Sequence, residues 1–197
     1  MARRVTILGE TLIADGRFRL TRTRAEIEEA DGVRRTLDHE IYRYGGAAAV
    51  LLYDPERAVA LLVKQFRLGA YLADGALETI EVCAGMLDGD DPQTCVEREA
   101  LEETGVRIES ARHVFDAYMS PGGMTEKIAC FVAPYRAADR VGPGGGVDDD
   151  ERIEVVEIPF DQALAMIETG EIRDAKTIAL LLYAKAKDWF GPAAGRR

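Results

Sequence analysis

Two runs of nearly unbroken apolar residues, 47–53 (AAAVLLY) and 58–66 (AVALLVKQF), flank an Asp54-Pro55 turn. Runs of this length without a polar face predict central strands covered on both sides. Upstream, residues 5–43 alternate instead: Phe18 and Leu20, then Ala25 and Ile27, have charged neighbours between them, the pattern of half-exposed strands. Asp31-Gly32 predicts a hairpin turn within that stretch, and Gly45-Gly46 marks its end. Downstream, strands are predicted at 77–85 (LETIEVCAG), 113–119, 127–135 and 153–160. Residues 136–152 form a Gly- and Asp-rich stretch too polar for a core. Helices are predicted at 161–170 and from Asp174 to about Trp189. The division is therefore an N-terminal β unit (1–44), a main domain (45–190) and a frayed tail (191–197). Periodicity alone supports an α/β fold with a mixed sheet.

One helix has both ends written in the sequence. Asp91 can cap free backbone N–H groups, Pro92 suits the first helical position, and Gly105 takes the left-handed conformation that ends a helix. Between them Glu99, Glu102 and Glu103 stand at i, i+3 and i+4, so three carboxylates crowd one face. Val96, Ala100 and Thr104 form a small apolar stripe beside them, able to face a sheet. Such crowding fits either a solvated acidic face or a site for a hard divalent cation with oxygen ligands.

Charge and composition narrow the function. The 197 residues are 47% hydrophobic and 30% charged, as in a globular domain, and carry a net charge of −10. That balance opposes nucleic acid as a partner, since phosphate backbones require a basic surface. Cys83, Cys95 and Cys130 are odd in number and lack metal-site spacing, which predicts reduced thiols and a cytoplasmic protein. No apolar run has the length of a membrane span, and Met1-Ala2-Arg3-Arg4 leads into no signal-peptide core.

The segment 85–106, GMLDGDDPQTCVEREALEETGV, resembles the Nudix box, G-x5-E-x7-R-E-U-x-E-E-x-G-U, where U is a bulky aliphatic residue. Arg98, Glu99, Glu102, Glu103, Gly105 and Val106 fall in register. The loop after Gly85 is one residue short, Asp90 stands in place of the first Glu, and Ala100 is small for its slot. Residues 118–126 (YMSPGGMTE), 144–152 and 170–177 (GEIRDAKT) further resemble the Nudix branch that cleaves GDP-mannose, close to the ADP-ribose pyrophosphatases.

That resemblance implies a Nudix α/β/α sandwich preceded by the small antiparallel unit, and a metal-dependent hydrolase of a nucleotide sugar. The implied cofactor is Mg²⁺, with Mn²⁺ as an alternative. Metal ligands carried over are Glu99, Glu103, the carbonyl of Ala84, Glu102 and Glu151. Glu151 is the implied general base, although Asp148, Asp149 and Asp150 share its stretch. Substrate contacts carried over are Arg17, Asp38, His39, Glu40, Arg67, Gly85, Met86, Glu126, Asp150 and Lys176. Arg17 stands where the family has an aromatic residue; for Arg67 the diphosphate contact is favoured over a surface salt bridge. A homodimer is implied, with the N-terminal unit exchanged between subunits. GDP-mannose is the expected substrate; ADP-ribose is the rival, and a regulator that only binds its ligand is disfavoured by the intact box carboxylates.

Overall fold

The computed structural model describes residues 2–147 and 152–190, and in these the chain forms ten strands and four α-helices. The two apolar runs become β4 (Ala47–Asp54) and β5 (Val59–Gln65), antiparallel neighbours in a seven-stranded mixed sheet. The Asp54 carboxylate closes their turn by accepting from the backbone N–H of Glu56 (2.9 Å) and Arg57 (3.0 Å). β10 (Ile153–Pro159) pairs antiparallel outside β5, while β9 (Lys127–Pro134) lies parallel to β4 with β8 (Arg112–Tyr118) at the edge. Helix α2 (Pro92–Thr104) buries Cys95, Val96 and Ala100 against Ala48, Val50 and Leu52 of β4. Ala49 and Leu51 alternate to the other face, toward α4 (Ala175–Ala186) with its buried Leu180 and Leu181. Helices on both faces explain why β4 carries no polar side. α3 (Phe160–Thr169) precedes α4 and packs on it. Cys83, Cys95 and Cys130 are buried free thiols.

The stretch expected as one strand over 77–85 is two. β6 (Thr79–Glu81) pairs with β5, and β7 (Cys83–Met86) pairs with β4. β4 and β5 bond to each other only over Leu52–Asp54 and Val59–Leu61, next to their turn. Beyond it they splay, and residues 79–86 fill the gap by changing partner at Val82. The structure also adds α1 (Leu68–Asp74), which the sequence pattern did not predict. None of its residues is buried, so it has no apolar stripe for periodicity to find. The C-terminal helix ends at Ala186 rather than Trp189. Trp189 instead stacks on Tyr53 at 5.9 Å, with the Arg112 guanidinium 4.6 Å from its ring centre.

Contacts divide the chain into two units: one reaches Gly46 and also takes in Tyr118–Lys127, and the other holds the remainder. The first is an antiparallel sheet of β1 (Arg4–Asp15), β2 (Arg19–Glu28) and β3 (Arg34–Arg43). Gly32, at φ 86°, supports the turn between β2 and β3. β1 is exposed along its whole length, and its pairing with β2 skips Leu8 and Ile13, two bulges. Residues 120–125 turn back onto the end of β3: Tyr42 N–H donates to Gly123 O (2.8 Å), and Thr125 Oγ1 donates to Tyr44 O (2.7 Å).

Candidate active site

Helix α2 begins and ends as its sequence predicts. The Asp91 carboxylate accepts from the N–H groups of Gln93 (3.0 Å) and Thr94 (3.2 Å), Pro92 opens the first turn, and Gly105 closes the helix at φ 72°. The shortened loop before it is accommodated by left-handed residues at Asp88 (φ 47°) and Gly89 (φ 103°). The three glutamates then diverge in environment. Glu103 is buried, and one of its oxygens accepts from Ala84 N–H at 3.2 Å. Burial, joined by repulsion from Glu99, raises its carboxyl to about 7, against opposition from a hydrogen bond with Cys83 and from Arg67. Glu99 lies over Gly85, where a Cβ would collide with its carboxylate. Glu102 is more open. Arg98 ties the face together, donating to Glu99 at 2.8 Å and Glu102 at 3.1 Å, with Asp90 at 3.5 Å. It also donates to the Met86 carbonyl, at 3.3 Å.

A second charged group stands at the end of β6. Glu81 is 3% exposed. Arg67 grips it with a fork, Nε and Nη2 each 2.9 Å from one oxygen, and Lys176 Nζ lies 2.7 Å away. Lys176 also meets Asp174 at 3.0 Å, and Asp174 caps α4 through the N–H and hydroxyl of Thr177. The Thr177 hydroxyl oxygen in turn accepts from Val82 N–H at 2.8 Å. The flanking cations overcome the cost of burial and hold the Glu81 carboxyl at about 2, so it is ionised at neutral pH. Arg67 and Lys176 thus converge on a residue that lies outside the motifs named above. Its signal was a charged residue set between the apolar Ile80 and Val82.

The first unit carries the remaining described candidates. Asp38 and Glu40 share one face of β3 and both pair with Arg22, at 3.7 and 2.9 Å. His39 alternates to the opposite face, opposite Thr23, so the three neighbours in sequence do not form one surface. Arg17 sits in the β1–β2 turn with its guanidinium 5.7 Å from the Phe18 ring centre, and Phe18 packs on Tyr44 at 3.9 Å. Glu126 is half-buried beside the turn that docks on β3. Asp148, Asp149, Asp150, Glu151 and the 191–197 tail lie outside the described residues.

Residues 43–181 match the family model of the NUDIX domain. The chain belongs to the NUDIX family. Among curated proteins it is 41% identical over 184 residues to GDP-mannose pyrophosphatase from Escherichia coli (strain SMS-3-5 / SECEC), covering 93% of this chain and 96% of that one. The protein of the same name from Shigella dysenteriae serotype 1 (strain Sd197) matches with the same identity and coverage. A crystal structure of an ADP compounds hydrolase superposes with a TM-score of 0.71, covering 94% of each chain at 18% identity, which supports the fold. The sheet with helices on both faces is thus a Nudix α/β architecture.

NUDIX hydrolases use divalent metal ions. Among the described residues no three Asp, Glu, His or Cys side chains form a ready-made metal cluster. The acidic helix nevertheless brings two carboxylates, Glu99 and Glu103, to the strand segment Ala84–Gly85. With the Ala84 carbonyl that the family resemblance adds, they would offer hard oxygen donors, the kind Mg²⁺ accepts while keeping several waters. Glu103, buried and beside a second carboxylate, is costly to ionise until a cation offsets its charge. The residues fit the ion.

Proposed function

We propose that this chain is a Mg²⁺-dependent Nudix pyrophosphatase that hydrolyses the diphosphate bond of a nucleotide sugar, GDP-mannose first, to GMP and mannose 1-phosphate. The observation that carries the reading is the meeting of Glu99 and Glu103 with the Ala84–Gly85 strand end, on the same broken strand that holds Glu81 with Arg67 and Lys176. The identity to the GDP-mannose pyrophosphatases supports the choice of substrate.

Each charged group has a role. Glu99, Glu103 and the Ala84 carbonyl hold Mg²⁺, with Mn²⁺ as a substitute and Glu102 as a nearby supporting acid. The bound ion offsets phosphoryl charge and lowers the pKa of its water. Arg67 binds the anionic diphosphate with Lys176 beside it toward the sugar end, and Gly85 and Met86 line the approach beside the helix. Glu151 takes a proton from water as the water oxygen bonds to one phosphorus, the bridging P–O bond breaks and the other phosphate leaves with its sugar or nucleoside; Asp150 contacts substrate. Arg98 balances the carboxylates rather than binding substrate.

The protein acts as a homodimer in the cytoplasm. The dimer is supported by β1, an exposed edge strand carrying Val5, Ile7, Leu8, Leu12 and Ile13 at the surface. In it, the first unit lends Arg17, Asp38, His39, Glu40 and Glu126 to nucleotide binding. Three buried thiols suit a reducing compartment. Light scattering at micromolar concentration is expected to give twice the chain mass; a monomer would remove the exchanged unit and its roles.

Product analysis with Mg²⁺ tests the reaction. GDP-mannose is expected to yield GMP and mannose 1-phosphate, with turnover abolished by a chelator. Faster release of AMP and ribose 5-phosphate from ADP-ribose would keep the chemistry and change the substrate. No turnover of either would sink the proposal.

A further inference from the structure

The Glu81 carboxylate is saturated. Besides both nitrogens of the Arg67 fork and the Lys176 ammonium, it accepts the Thr79 hydroxyl at 2.6 Å. Four donors fill the acceptor capacity of a carboxylate, which leaves nothing for a metal ion or a substrate. What Glu81 does control is the placement of two cations from distant parts of the chain, one just after β5 and one in the first turn of α4. Arg67 keeps 46% of its side chain exposed and commits two of its five N–H donors to the fork. Lys176 commits its ammonium to Glu81 and Asp174.

We propose that Glu81 is a positioning residue for substrate binding, acting through Arg67 and Lys176 to hold their charges side by side for the diphosphate. This rests on the assignment of those two cations as substrate contacts. Two like charges brought to one spot repel, and long flexible side chains lose conformational freedom when a ligand fixes them. A buried anion between them removes both penalties before substrate arrives, and the planar fork also sets the tilt of the guanidinium. The strand adds a further link, since Glu81 lies three residues before Ala84. The cations and the metal-binding carbonyl are thus referenced to each other across the short step from β6 to β7.

The alternative, that Glu81 merely adds negative charge, predicts the opposite sign. Glu81→Gln keeps the shape and raises the positive charge of the pocket, so a field effect alone would tighten an anionic substrate. Positioning predicts the reverse, because the amide presents an N–H to a cation and breaks the fork. On GDP-mannose with Mg²⁺, E81Q is expected to raise KM about tenfold while kcat stays within about threefold of wild type. R67Q should raise KM comparably, and R67Q/E81Q should add no more than about twofold to R67Q, since the effect of Glu81 travels through Arg67.

An unchanged or lower KM in E81Q overturns the proposal, as does a fall in kcat at constant KM, the mark of a disturbed strand at Ala84. R67Q and K176Q separate the two levels. If they raise KM and E81Q does not, only the positioning role fails; if they too are silent, the substrate-contact assignment fails beneath it. Should E81Q not fold by its melting curve, E81D serves instead. It keeps the charge but loses reach, and is expected to raise KM by a smaller factor; a wild-type KM there overturns the proposal.

Discussion

Glu103→Gln is expected to lower kcat about a thousandfold with Mg²⁺ present, and at the same time to stabilise the metal-free protein. Both effects have one cause. Glu103 is 4% exposed, and its carboxyl sits near 7 because burial and Glu99 disfavour the charge. An acid whose folded pKa lies above its unfolded value binds more protons when folded, so stability falls as pH rises between the two values. With an ordinary value of 4.5 and a folded value of about 7, the cost is absent below 4.5, grows between, and is complete above 7. The full cost is about 3 kcal/mol. In chelator at pH 8, E103Q should therefore melt several degrees above wild type, and the gap should close toward pH 4.5. Saturating Mg²⁺ should reverse the order, because only the wild type gains binding energy. Thermal melts at the two pH values, with and without metal, check all of this. A variant no more stable than wild type at pH 8 in chelator would show that the buried charge carries no such cost.

The second large effect lies where the acidic helix ends. Residues 139–146 are sewn to that end by backbone bonds: Arg107 N–H to Asp139 O (2.8 Å), Gly145 N–H to Glu103 O (2.8 Å) and Gly146 N–H to Glu102 O (3.1 Å). The free carbonyls of the last turn are satisfied by this strap rather than by water. It comes close enough only because side chains are missing. Gly144 is at φ 70°, and a Cβ there would press into the backbone of Glu103 and Thr104, which cannot swing aside. Gly144→Ala is expected to cost about 3 kcal/mol or more, combining left-handed strain with the collision. For a chain of this size that lowers Tm by about 6–12 °C. Gly122→Ala is the control, since nothing lies within 4 Å of its added Cβ and its φ needs no glycine. If the two variants melt within a degree of each other, the close approach is not what holds the strap.

Much of this architecture is legible in the chain itself, for physical reasons that differ by element. α2 is readable because both its ends are local events, an aspartate-proline start and a glycine stop. β4 and β5 are readable because strands covered on both faces can tolerate little polarity. α1 is invisible to the same reading: it is short, buries no residue and leaves no periodic stripe. The break at Val82 is invisible because nothing local marks it; it exists only because β4 and β5 diverge. The role of Glu81 is hidden for a related reason, as its cationic partners lie 14 and 95 residues away. Alternation did carry information about residues 38–40 that the family pattern did not use, since it sends His39 to one face and its neighbours to the other.

The two bulges of β1 bear on how association through this edge would end. Leu8 and Ile13 have no opposite residue on β2. Each extra residue bends the strand and tightens its twist. A straight, apolar twelve-residue edge would accept one identical strand after another, the geometry of a fibril. An edge bent twice offers no such repeating seat. In the proposed dimer, growth along such an edge would stop at a closed pair instead of running on as a ladder.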